Sequence, residues 1–111
     1  MAEHCTKEVK DVLKRIEDHQ NVVGVIIADH REGQAVHSTL DAMETNYYIQ
    51  QCTALTDIAR STIRETDPTD DIQFFRIRTK KYEIMLAPEH DYLLIVLQNT
   101  TKMASKFPWA K

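Results

Sequence analysis

The chain has 111 residues, 42% hydrophobic and 28% charged, which is the size and composition of one globular domain. With 17 acidic against 14 basic residues its net charge is −3, which argues against a protein built mainly to bind nucleic acid, since phosphate binding needs a basic footprint. The longest apolar runs, residues 22–28 and 92–97, fall far short of the roughly 20 residues a membrane-spanning helix needs, so no membrane insertion is expected.

The start, MAEHCTKEVK, is charged and has no apolar signal-like core. Val9, Val12, Leu13 and Ile16 recur at three- and four-residue steps, which predicts an amphipathic helix over 6–20 with Thr6 as its N-cap. Residues 22–29 are β-branched and apolar on both alternating faces, as in a strand covered on both sides. Gly33 suits the turn that follows, and 34–38 reads as a short, more polar edge strand.

Residues 41–66 contain neither Gly nor Pro and predict one long helix. Tyr48, Cys52, Leu55, Ala59 and Ile63 line one stripe, and Tyr47, Ala54 and Ile58 line a second beside it. Either the helix is wedged deep in its own fold or the second stripe meets another subunit; the pattern allows both. Asp67–Pro68 ends the helix, because the residue before proline is pushed from helical geometry.

Three strands follow, at 72–78, 82–87 and 92–98. A hairpin turning at Lys80–Lys81 sets Arg78 opposite Glu83, Ile77 opposite Ile84 and Phe75 opposite Leu86, matching charge with charge and apolar with apolar. Residues 88–91 form the next turn, and 92–97 is again apolar on both faces. The two doubly apolar strands should be central neighbours. The expected fold is α+β in the order αββαβββ, a five-stranded antiparallel sheet with a helix on each face. The tail at 103–111 is notable for Phe107, Pro108 and Trp109.

Chemistry is harder to find. His4, His19, His30, His37 and His90 are scattered, without a metal-ligand spacing, and the Asp67, Asp70 and Asp71 cluster lacks a glycine-punctuated calcium loop. With only Gly24 and Gly33 the chain has no phosphate-binding loop. Ser38, Ser61 and Cys52 lack the motif of an activated nucleophile. Cys5 and Cys52 form no disulfide framework and read as reduced cytosolic thiols. No enzymatic activity, cofactor or metal is expected. Arg76, Arg78, Lys80 and Lys81 form one basic run, read as a protein-contact or edge-guarding feature rather than a nucleic-acid site.

The stretch RSTIRETDPTDDIQFFRIRTKKYEIMLAP at 60–88, followed by Asp91-Tyr92 and LLIVLQN, resembles the roadblock-type dynein light chains. The apolar strand at 22–28, Gly33 and Ser38-Thr39-Leu40-Asp41 also fall where that family has its counterparts. The resemblance covers residues 9–100, leaving 1–8 as an N-terminal extension and 101–111 as a tail. It implies a roadblock/longin-like fold and a dimer, either a homodimer or a heterodimer with a paralogue. The implied interface is Tyr47, Gln51, Ala54 and Ile58 on the long helix with Ile72, Phe74, Arg76 and Arg78 on the following strand. It further implies a non-catalytic light-chain subunit of a dynein motor, binding the dynein intermediate chain beside other dynein subunits and supporting microtubule-based movement. The implied location is the cytoplasm and cytoskeleton, including a cilium or flagellum. The alternative, drawn from the wider superfamily, is a scaffold or regulator of a small GTPase. Three departures are His30-Arg31-Glu32, which lengthens the first hairpin loop by about one residue, Met43, where a helix-start proline is common, and a tail past Thr101 longer than in compact members. They leave the class of dynein open.

Overall fold

Hydrophobic periodicity sets the element order. A computed structural model describes residues 7–18 and 21–99, so Thr6, Cys5, His4, His19 and the tail with Phe107, Pro108 and Trp109 lie outside the described residues. The elements are α1 (Lys7–Asp18), β1 (Val22–Asp29), β2 (Gln34–Ser38), α2 (Ala42–Thr66), β3 (Phe75–Arg78), β4 (Tyr82–Glu89) and β5 (Tyr92–Asn99). The strands form one antiparallel sheet in the order β2-β1-β5-β4-β3. β1 and β5, the two strands apolar on both faces, are neighbours at its centre, where both faces are covered.

Alternation along the strands divides the core. Ile26, Ala28, Leu86, Leu93, Ile95 and Leu97 point to one face and pack with Ile49 and Cys52 of α2. On the opposite face Val25 and Val96 are buried, as is Leu13 of α1, which packs over β1. Full burial of a Leu or Ile contributes about 1.5–3 kcal/mol, so the central strands anchor the fold.

The carboxylate of Asp41 caps α2 by accepting the Glu44 N–H at 2.8 Å. The helix ends where the Asp67 N–H donates to the Ile63 carbonyl, one residue before Pro68. Gly33 turns the β1–β2 hairpin with φ 68°, a conformation that suits glycine.

The buried face of α2 is rotated from the one expected. Thr45, Ile49, Cys52 and Thr56 are buried, whereas Leu55 is exposed and Tyr48, Ala59 and Ile63 are half-buried. The two threonines hide this face from a hydrophobicity count. Thr45 is accommodated by a 2.6 Å bond between its hydroxyl and that of Ser38.

The register of β3 with β4 pairs Phe75 with Leu86, Ile77 with Ile84 and Arg78 with Glu83, as expected. β3 nevertheless begins at Phe75 rather than at residue 72. The Thr79 N–H donates to the Tyr82 carbonyl at 2.7 Å, and ladder alternation then directs the backbone groups of Tyr82, Ile84, Leu86 and Pro88 toward β3. Pro88 has no N–H to give, so the β3 side of the ladder stops there. The same geometry lets β4 continue through Pro88 to Glu89 against β5, where a turn had been expected. No helix among the described residues is long and apolar enough to cross a membrane.

Candidate protein-interaction face

α2 presents two opposite faces. At about 100° per residue, Met43, Tyr47, Gln51, Ala54 and Ile58 fall within one narrow sector, diametrically opposite Thr45, Ile49, Cys52 and Thr56. Met43 is 83% exposed, Tyr47 62% and Ile58 65%, and Gln51 and Ala54 are exposed beside them. The helix is thus not wedged in its own fold on this side. Tyr47 also packs edge-on against Tyr48, with ring centroids 6.2 Å apart, which holds it in place.

β3 is an edge strand. Because Ile77 and Phe75 direct their main-chain groups toward β4, those of Arg76 and Arg78 point outward along the free edge. Phe74, 60% exposed, stands just before the strand, and Ile72 is half-buried. Ile72 and Phe74 are therefore placed in the segment leading to β3, not in the strand. The Ile72 N–H is held by the carboxylate of Asp71 at 2.8 Å.

That carboxylate is the hub of a lock between α2 and the loop after it. Arg60 donates to both oxygens of Asp71, at 3.0 and 2.8 Å, and Arg64 donates to one at 2.9 Å. The Arg60 hydrogen bond is the main reason the Asp71 carboxyl is lowered from 3.8 to about 2. Asp67 accepts the N–H and hydroxyl of Thr69, which lowers its carboxyl too, and its carbonyl closes the 67–70 turn by accepting the Asp70 N–H.

A second ionic cluster sits under the β3 edge. Glu83, its side chain only 5% exposed, accepts from Arg76 at 3.2 Å through one oxygen and from Arg78 at 3.0 Å through the other. Elsewhere His30 meets Asp57 at 3.0 Å beside a shallow cleft of about 480 Å³ that Arg60, Ser61, Arg64 and Glu65 also line. Burial pushes the Cys52 thiol up to about 11, the opposite of an activated nucleophile. Among the described residues no group of three or more His, Cys, Asp or Glu side chains is placed to hold a metal ion.

The four helical positions singled out from sequence, Tyr47, Gln51, Ala54 and Ile58, share one exposed face, and Arg76 and Arg78 share one face of β3. Sequence reasoning passed over Met43, although the same rotation places it one turn before Tyr47. It also paired Glu83 with Arg78 alone and missed the diagonal contact from Arg76.

Similar folds occur in solved structures. A Roadblock/LC7 domain from Streptomyces avermitilis matches with a TM-score of 0.72 and 11% identity, covering 80% of this chain and 75% of that one. MglB of Myxococcus xanthus matches at 0.66 with 14% identity, covering 84% and 76%. An MglB in a tetrameric arrangement matches at 0.71 with 8% identity, covering 94% and 79%.

These matches correct the dynein reading. The three structures named above are Roadblock/LC7 and MglB proteins rather than motor, microtubule or cilium components, so the expectation of a dynein intermediate chain and other dynein subunits as partners does not stand. The physical reason lies in the motifs that suggested it. Arg60, Arg64 and Asp71, and Arg76, Arg78 and Glu83, bond to one another within the chain, so the motif they make reflects how the domain is held and does not single out a dynein chain as its partner.

The sequence model of the Roadblock/LC7 domain matches residues 8–99, most of the chain. The protein belongs to the Roadblock/LC7 domain family, whose members are generally non-catalytic scaffold or regulatory domains.

Proposed function

We propose that this protein is a two-fold dimer that acts as a non-catalytic scaffold or regulator of a small GTPase. Two observations carry the dimer: the exposed stripe of Met43, Tyr47, Ala54 and Ile58 on α2, and the position of β3 at the edge of the sheet. An apolar helix face and an unpaired strand edge are both liabilities in an isolated domain, and one two-fold contact covers both. Antiparallel helices meet through Tyr47, Gln51, Ala54 and Ile58. The β3 edges meet through Phe74, Arg76 and Arg78, with Ile72 behind them. An obligate contact of this kind buries about 2,000 Å² or more in total.

The GTPase partner is supported by the wider superfamily, which includes scaffolds and regulators of small GTPases, and by the likeness of this fold to MglB. The chain itself has no phosphate-binding loop, so nucleotide chemistry would belong to the partner. The test is purification of the endogenous protein with its partners, in parallel with an Ile58→Asp form, in the presence of GDP or a non-hydrolysable GTP analogue. A small GTPase recovered with the native protein in a nucleotide-dependent manner, and lost with the variant, is the expected result. Recovery of a dynein intermediate chain with no small GTPase would overturn it.

A further inference from the structure

The sequence of the hairpin from Phe75 to Glu83 holds four basic residues, Arg76, Arg78, Lys80 and Lys81, and one acidic residue, Glu83, a formal surplus of three positive charges. This surplus stands out in a chain whose net charge is −3. The two arginines and Glu83 share the sheet face opposite the α2 core, because Phe75, Ile77 and Leu86 point to that core. α1 packs on the same side but over β1, which is three strand positions and roughly 14 Å from β3. Arg76 is 56% exposed even while it holds Glu83. A guanidinium has five donors in a planar fork, and the single bond from Arg76 to Glu83 is made by Nη1.

The two-fold contact proposed above concentrates this charge, and the site depends on that contact. Two antiparallel β3 strands lie about 4.8 Å apart and bring both hairpins onto one continuous face. Four guanidiniums then surround two carboxylates across the two-fold axis. Like charges set opposite each other weaken a strand pairing, and each Glu83 offsets only part of that repulsion. An external carboxylate placed over the seam would offset the rest.

We infer that this seam, on the sheet face opposite α2, is a docking site for an acidic segment of a partner protein, one whose Asp or Glu side chains take the outer donors of Arg76. Carboxylate and guanidinium match in bidentate geometry. A long nucleic-acid polyanion is disfavoured by the negative charge of the rest of each protomer, and the exposed aromatics near the arginines, Phe74 and Tyr82, are too few for a stacking platform. Because the site is completed by two protomers, its occupant stabilises the dimer, and the dimer tightens the occupant's binding, to the same degree.

The test uses the full chain and a fluorescent peptide of alternating Glu and Ala, about twelve residues long, with a Lys-Ala peptide and a single-stranded oligonucleotide of similar length as comparisons. Anisotropy gives affinity at roughly 50 and 300 mM salt, and sedimentation gives the monomer–dimer equilibrium in the same samples. The Glu-Ala peptide is expected to bind, to weaken with salt, and to shift the equilibrium toward dimer. Arg76→Ala removes a guanidinium but leaves the main-chain pairing of the β3 edges, so it is expected to weaken peptide binding about tenfold or more, measured on the dimer fraction that sedimentation gives for the folded variant. A Lys80→Ala/Lys81→Ala double variant, which leaves Glu83 and its partners untouched, is expected to lower affinity by a smaller factor. A dimer that ignores the peptide, or binds it equally well after Arg76→Ala, overturns the seam alone. Preferential binding of the oligonucleotide overturns it in favour of nucleic acid, and a native protein that is monomeric overturns both the seam and the dimer.

Discussion

Removing the two bases around Glu83 should cost far more than removing the acid itself. Glu83 is buried, with 5% of its side chain exposed, and its two oxygens are satisfied by Arg76 and Arg78. An Arg76→Ala/Arg78→Ala double variant leaves that carboxylate desolvated without a cation, a situation that costs about 3–5 kcal/mol. Glu83→Gln keeps the shape and one acceptor, and the arginines, partly exposed already, turn to water, so its cost is about 1–2 kcal/mol. Arg76→Ala alone leaves Arg78 on the carboxylate and removes one hydrogen bond from a partly exposed donor, so it costs about 1–2 kcal/mol, less than the loss of both. Against a total stability of about 5–15 kcal/mol, only the double variant approaches unfolding. Urea denaturation followed by circular dichroism measures the order, at one protein concentration, because dimerisation makes stability depend on concentration. If Glu83→Gln proved as costly as the double variant, the buried carboxylate would not be the dominant charge of the cluster.

Ile58→Asp should leave the isolated fold intact, because Ile58 is exposed, yet weaken dimerisation about 30-fold or more through two lost apolar contacts and two buried charges; sedimentation together with circular dichroism separates the two effects. Asp71→Asn should lower the melting temperature at neutral pH. The Asp71 carboxyl is lowered from 3.8 to about 2, chiefly by Arg60, so its contribution is complete above the ordinary value and lost as pH falls through about 2. The difference in melting temperature between native protein and variant should therefore close over that window, and a pH-independent difference would refute the lock. Cys52, buried with its thiol pushed up to about 11, should escape alkylation at neutral pH until urea is added, as peptide mapping would show.

Most of the fold could be read from side-chain pattern because the strands are strongly marked. Runs such as VVGVIIA and YLLIVL are apolar on both faces only if the sheet is covered on both, and that places β1 and β5 together at its centre. The β3–β4 register could be read because charge and apolar pairs agree on one alignment. The α2 core face was misjudged because Thr45 and Thr56 are buried polar residues that hydropathy places outside. The start of β3 was missed because the deciding residue, Pro88, lies on the neighbouring strand and acts through an absent N–H. The exposed α2 stripe was visible as a pattern, but whether it faced the protein's own sheet or solvent needed the three-dimensional arrangement. The partner was misjudged for a different reason. Residues that bond within the domain make a specific family signature, and that signature does not single out one partner protein among those the family meets.

Light scattering of the native protein at micromolar concentration tests the interaction face most directly. One chain weighs 12.9 kDa, so the dimer built through Tyr47, Ala54, Ile58 and the β3 edge should weigh twice that, 25.8 kDa, and the Ile58→Asp form should shift toward 12.9 kDa. A native mass of 12.9 kDa would contradict the proposal that a second protomer covers the exposed face of α2.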